Sequence, residues 1–475
     1  MKKILLVARH TRRQILQNRA TKFLMLLVVT LLVYGGITGL LHYKKAEKTR
    51  ATYQKMVRDS WVNSPDKHPH RMAHYGFIAF RPKSALSIFD YGMENYTGNA
   101  VFLEAHRQNS TNFSEASLSS SLLRFGEISI AMVLQLLLPL FIFFTGFNCI
   151  AQDRENGTLK MLLTQGLSWK QLLAGKIIGL YSVAAIVFAI GILFTVLLNS
   201  LHNAGGWMNL FFIVWAYLAS IFIYCSIAVI ISAISKTSKL SLVTLTGTWL
   251  LLAIALPKAT QAVANSLYPA PSKIAFENRI EQDIQKEGDS HNPDDKHYNA
   301  LKDSVLKANN VDSVAQLNFN YSGFQMSEGE RISSSIYNKH YEQLLSLYKK
   351  QNDLFSYTGF ISPYLGVKQL SMALCNTDFF TYTDFQQQAE AYRYALAQEM
   401  NALQVKLIPN KKLPDTAKNY TIDRKHWEQF NDFKYRPPAL SQVAVHERNS
   451  IFSLLGWIVF LLITLNILSK TLKAI

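Results

Sequence analysis

Charge is scarce in this chain. Asp, Glu, Lys and Arg make up 17% of its 475 residues, against about 25% in soluble domains, which argues against a simple cytosolic enzyme. Cysteine is scarcer still: three residues exclude a disulfide-rich scaffold, and no CxxC spacing offers a metal or redox pair. The Walker A pattern GxxxxGKS/T is missing, so the chain does not hydrolyse ATP through a P-loop of its own. Acids and bases are also missing from every long apolar run, where proton and ion relays would need them.

What is present are the runs themselves. Phe23 to Leu41, Ile128 to Ile150, Ile177 to Leu201, Leu210 to Ile234, Leu240 to Pro257 and Ile451 to Ser469 contain no charged residue. Each is long enough to cross a bilayer as a helix, and buried helices of soluble proteins rarely need so long an apolar stretch. The first run is longer than a signal-peptide core and no small-residue cleavage site follows it, so it reads as a retained anchor.

The bases give the direction. Residues 1–22 hold seven Lys or Arg and no acid. If that end is cytoplasmic, so are 151–176, 235–239 and the tail 470–475; these four pieces carry fifteen bases and two acids, Asp153 and Glu155. The opposite pieces, 42–127 and 258–450, are net +4 and net zero. By the positive-inside rule both termini are expected inside. The bases are spread over short loops and no binding motif collects them, so nucleic acid is not an expected partner.

The fold class expected is an all-α polytopic membrane protein: six transmembrane helices with a mainly helical external domain built from two insertions. Residues 1–22 are read as a cytoplasmic amphipathic connecting helix, 23–41 as span one, 128–150 as span two, 151–176 as a cytoplasmic segment, 177–257 as spans three to five, and 451–469 as span six. Tyr43, Ala46, Tyr53, Val57 and Trp61 share a helical face that extends span one outward until Asn63-Ser64-Pro65-Asp66. In the second insertion Phe385, Ala389, Tyr392, Leu396, Met400 and Leu403 form a helical stripe, with Thr383-Asp384 as its expected cap. Tyr341, Leu344, Leu345 and Tyr348 mark another helix, and Glu287 to Asp295 reads as loop. The apolar patch at Phe360 to Leu365 and Leu370 to Cys375 is expected to be ordinary core of that domain, ahead of a contact with the membrane or the spans. Cys149 and Cys225 fall in spans, which leaves no disulfide for the external domain.

Between spans two and three, Thr158 to Leu163 reads as a small amphipathic helix flanked by Gly157 and Gly166. Leu159, Leu162 and Leu163 share a face and Thr158 is placed to cap its start. Such a piece either docks into a cytosolic partner or lies on the lipid headgroups.

Glu155-x-Gly157-Thr158-Leu159, followed by Ser168 and Gly175-Lys176, resembles the coupling helix of ABC type-2 exporter permeases. Ile4 to His10 looks like that family's interfacial connecting helix. The resemblance covers the whole membrane part. It implies a permease subunit without its own nucleotide site, with ATP and Mg bound by a separate ABC ATPase subunit and no cofactor in this chain. Glu155, Gly157, Thr158, Leu159, Leu162 and Leu163 would couple to that ATPase. It further implies a second permease copy or paralogue as partner, and residence in the bacterial cytoplasmic (inner) membrane. Ala73-His74-Tyr75-Gly76, Phe80-Arg81-Pro82, Phe89-Asp90-x-Gly92, Leu103-Glu104-Ala105-His106, Ser362-Pro363 and Leu370 to Leu374 look like a branch that carries a large uncharacterised external domain. An external protein partner is compatible with it, and the substrate is left open.

Two further groups stand out. His68, His70, His74 and His106 offer imidazoles to copper or zinc, which gives the alternative function, a membrane-anchored metal-binding protein or metalloenzyme. Against it, Pro69 is expected to break helical spacing and Arg71 to repel a cation, so hydrogen bonding within a folded loop is the favoured reading. In the spans, Gly35 and Gly39 form a GxxxG pair that admits a close neighbour, and Pro139 is expected to kink span two.

Overall fold

The computed structural model describes residues 1–108, 128–201, 206–288, 292, 294–410 and 420–472. Among these, six helices are long and apolar enough to cross a membrane: Arg19–Val62, Ile130–Glu155, Trp169–Leu197, Trp207–Ile234, Ser238–Leu267 and Arg448–Thr471. They coincide with the six charge-free runs. The first continues well past Leu41, as its pattern requires. Trp61 is buried near its end and Asn63 terminates it, although Tyr53 turns outward instead of joining the inner face.

Proline shapes two spans in the same way. A π-helical segment, Val133–Leu137, precedes Pro139, and another, Leu251–Ala255, precedes Pro257. A proline removes one N–H and crowds the preceding turn, and a π-turn absorbs that misfit. The carbonyls it releases need donors from elsewhere. Trp249 Nε1 donates to the Leu136 carbonyl at 3.0 Å, and Ser362 Oγ donates to that of Leu252 at 2.7 Å.

The paired glycines of the first span meet backbone of the same chain. A Cβ on Gly35 would lie 3.0 Å from the carbonyl carbon of Ser129, and one on Gly39 only 2.7 Å from the Ile88 carbonyl oxygen.

The two insertions pack into one domain on the far side from the N-terminus. Trp61, Met72, Phe77 and Leu103 share a core with Phe385, Met400, Trp427 and Phe433. The first insertion contributes a two-stranded antiparallel sheet, Phe77–Phe80 with Ala100–Leu103, in which Phe77 faces Leu103. The second contributes long helices, Tyr321–Thr358 and Phe379–Leu407. The latter is capped by Asp378, which accepts from the Thr381 N–H at 3.2 Å. The helix therefore starts earlier than the expected Thr383-Asp384 cap, because Asp378 already satisfies its first turn. The loop read from Glu287 to Asp295 lies between Gly288, which ends one helix, and Asp295, which caps the next; Asp289, Ser290, His291 and Pro293 are outside the described residues, as is the stretch 109–127.

The patch at 360–375 departs from expectation. Helix Pro363–Leu374 is not core of the insertion domain alone; Val367, Leu370, Ala373, Leu374 and Cys375 belong to the core of the spans themselves. Ser371 Oγ lies 2.6 Å from Asp90 Oδ2 and 3.0 Å from Tyr217 Oη, and Gln135 Nε2 donates to Tyr217 Oη at 2.7 Å. Both insertions and two spans thus meet at one buried polar knot. An acid does enter the bundle, carried in by an insertion and not by a span. Burial raises the Asp90 carboxyl pKa, and this outweighs the opposing hydrogen bonds from Ser371, the Gly92 N–H and Gln135.

Candidate functional site

At the N-terminal end of the bundle three pieces converge. Helix Lys2–Gln17 lies along the start of the third span. Its Val7 and Thr11 occupy the space that side chains at Gly175 and Gly179 would need, and Lys3 Nζ donates to the Gly166 carbonyl at 2.7 Å. Gly166 and Gly157 both have positive φ (79° and 73°), a backbone shape that glycine tolerates and a Cβ disfavours. They bracket helix Thr158–Thr164.

The residues before that helix tie three elements together. Asp153 Oδ2 receives Lys176 Nζ at 2.8 Å, which joins the segment to the third span. Arg154 donates to the carbonyls of Ala233 (2.7 Å) and Ser235, the last turn of the fourth span. Glu155 accepts from the Ser238 N–H at 3.0 Å and from its hydroxyl at 2.5 Å, at the first turn of the fifth. Each charge suits its helix end: a cation on exposed carbonyls, an anion on exposed N–H groups.

The orientation of the short helix corrects the sequence reading at two residues. Leu159 is 1% exposed and packs into the core of the spans, so it anchors the segment to its own chain and is not presented to a partner. Leu163 packs against the same core and Leu162 is half-buried. Thr158 does not cap the helix. Its hydroxyl donates back to the Asp153 carbonyl at 3.0 Å, and Gly157 occupies the cap position. Glu155, Gly157, Thr158 and Lys160 are exposed, and the apolar side chain turned outward is Met161, 60% exposed. Met161 falls roughly opposite Leu159 on a 100° helical wheel, which was the available signal for it.

The histidines divide. His70, His74 and His106 come together, with their nitrogen donors all within 4.8 Å of one another. His68 does not join them; its Nδ1 accepts from the His70 N–H at 3.2 Å and caps helix Pro69–Ala73. Pro69 therefore begins a helix and does not interrupt one.

Six apolar spans around a mostly apolar core define a helical multi-pass membrane protein. Residues 89–275 match the ABC-2 family transporter protein model, and residues 274–436 match a domain of unknown function (DUF3526). An ABC-2 transporter membrane segment followed directly by a DUF3526 segment is consistent with an ABC-2 permease that carries an extra domain. No curated protein matches the chain. The match over residues 89–275 supports a membrane component of an ABC transporter and does not favour a membrane-anchored metalloenzyme.

Proposed function

We propose that this chain is the permease subunit of an ATP-driven exporter, and that helix Thr158–Thr164 with the end of helix Lys2–Gln17 receives a separate ABC ATPase. The observation that carries the reading is the surface at the N-terminal end of the bundle. There an outward Met161 sits beside the exposed Lys160, on a segment bolted to the third, fourth and fifth spans by Asp153, Arg154 and Glu155. A partner that moves this segment moves three spans with it. The excess of bases on the same pieces supports placing this end in the cytoplasm of a bacterial cell, with the insertions outside.

Two permeases, this chain twice or with a paralogue, would enclose the path and bind two ATPases, which hold the ATP and Mg. The insertion domain would shape an exit, pass substrate to an external protein, or transmit mechanical work. The test is co-expression with the partner ATPase. The complex should co-purify and its ATPase rate should depend on the permease. An ATPase that neither binds Met161→Asp less well nor responds to the wild-type permease would refute the reading.

A further inference from the structure

His70 lies in the short helix Pro69–Ala73, which His68 caps at its start, and His74 follows one turn later as its C-cap. His106 reaches the same place from the turn three residues beyond the second strand, in a left-handed backbone conformation (φ 60°). The ring centroids are 4.7 Å apart for His70 and His74, 5.5 Å for His70 and His106, and 5.3 Å for His74 and His106. Arg71, the objection raised by the sequence, follows His70 by one residue and so projects about 100° around the helix from it.

Behind His106 lies a built support. Glu330 Oε2 accepts from the His106 backbone N–H at 2.9 Å and sits 3.1 Å from its Nδ1. Glu330 itself is fully buried and paired with Arg393 at 2.6 Å, and Arg393 is held by Glu390 at 2.7 Å. A carboxylate at Nδ1 fixes the tautomer in which Nδ1 carries the proton and Nε2 presents its lone pair, the arrangement found behind metal-bound imidazoles.

We propose that His70, His74 and His106 form a three-imidazole site for one first-row divalent cation of the zinc class, with Glu330 orienting His106 from behind. Tetrahedral zinc with Zn–N near 2.05 Å sets its nitrogens about 3.3 Å apart. The present spread closes to that value by movements of about 1.5 Å or less, within side-chain rotation. Three protein ligands leave a fourth position for water or a further ligand. His74 is exposed and His106 lines a cleft of about 630 Å³ with Tyr337 and Tyr382, so the ion has a way in. All three ligands lie in the first insertion, so a bound cation would clamp helix Pro69–Ala73 to the segment after the second strand, while Glu330 on helix Tyr321–Thr358 already ties His106 to the second insertion.

The experiment uses the full-length permease in nanodiscs, stripped with chelator, without any ATPase, so its outcome is separate from that of the transport reading. Wild type and the His297→Ala control should each bind one equivalent of zinc, and Co(II) should give the intense visible bands of a low-coordinate site. His74→Ala and His106→Ala should lower affinity at least tenfold, and Glu330→Gln by about 10–100-fold with stoichiometry kept. His74 is exposed, so its variant keeps the fold and decides the matter if Glu330→Gln does not fold. Absence of stoichiometric binding by wild type, or unchanged affinity in His74→Ala, overturns the proposal.

Discussion

Glu155 grips Ser238 twice, through the backbone N–H at 3.0 Å and the hydroxyl at 2.5 Å. The acid that stands out in the coupling motif is therefore engaged within its own chain, on the first turn of the fifth span, and is not a lone charge waiting for a basic partner. In the proposed coupling its contribution would be stiffness, because these bonds tie the segment to the fifth span.

Two substitutions separate anchoring from docking. Leu159→Ala should lower the thermal stability of the purified permease, because truncating a buried leucine costs about 2–5 kcal/mol. Met161→Asp should leave that stability within about 0.5 kcal/mol, as exposed positions do, yet reduce ATPase co-purification several-fold. Equal stability losses in both variants would place Met161 in the core and move the docking surface elsewhere.

Topology is checked by labelling in intact cells with a reagent that does not cross membranes. With Cys149 replaced by Ser, and Cys225 and Cys375 buried, Lys296→Cys should react from outside and Lys160→Cys should not; both positions are exposed in the fold. Ser110 and Ser290, which belong to the same two insertions and should label from outside as well, lie outside the described residues. Reaction at position 160 would reverse the assigned direction.

Glu447 gives a pH test. Burial, with the Asp378 carboxylate adding to it, pushes its carboxyl up to about 7 against the opposing Ser450 hydroxyl 2.6 Å away; His446 Nε2 lies at 3.9 Å. A carboxyl whose folded pKa is raised binds its proton more tightly when folded. Its effect on stability is favourable at low pH and is lost as pH rises from the unfolded value towards 7. Glu447→Gln should therefore raise Tm at pH 8, by a free energy on the order of 3 kcal/mol, and change it little at pH 4. A Tm difference that does not depend on pH would contradict this.

Gly39→Ala should destabilise the bundle by about 1–3 kcal/mol, since its Cβ would press on the Ile88 carbonyl, which has no flexible end to give. Gly247→Ala is the matched control: it also lies in a span, but nothing stands within 4 Å of the added methyl. Chemical unfolding of the two variants in the same detergent reads the difference.

The spans were legible because lipid imposes a rule on composition that no local packing overrides: about twenty residues without charge. Direction within a short helix was not. The spacing of Leu159, Leu162 and Leu163 defines a face, but periodicity carries no label for whether that face meets a partner or the chain's own core. Pro69 misled for a related reason. At the first turn of a helix a proline costs nothing, since that N–H has no partner in any case, so a residue read as a breaker in fact set His70 and His74 one turn apart. The partners of Asp153, Arg154 and Glu155 lie over twenty residues away for the first and about eighty for the other two, and no local pattern reports such pairings. Both π-turns stand before a Leu-Pro step, Leu138-Pro139 and Leu256-Pro257, and the second of these lies at the very edge of its apolar run.

Helix Pro363–Leu374 has a bearing on how this protein can be dissected. The segment recognised by sequence likeness as a separate domain runs from 274 to 436, yet its helix shares side chains with the spans and its Ser371 closes over Asp90. Cut out and expressed alone, the segment would turn Val367, Leu370 and Leu374 to water, each at a cost of about 1.5–3 kcal/mol, and would aggregate. The remainder would carry an open trench with a carboxylate at its floor. The stretch that a single family model spans is therefore not a folding unit, and grafting it onto another membrane part will succeed only when the trench travels with the wedge that fills it.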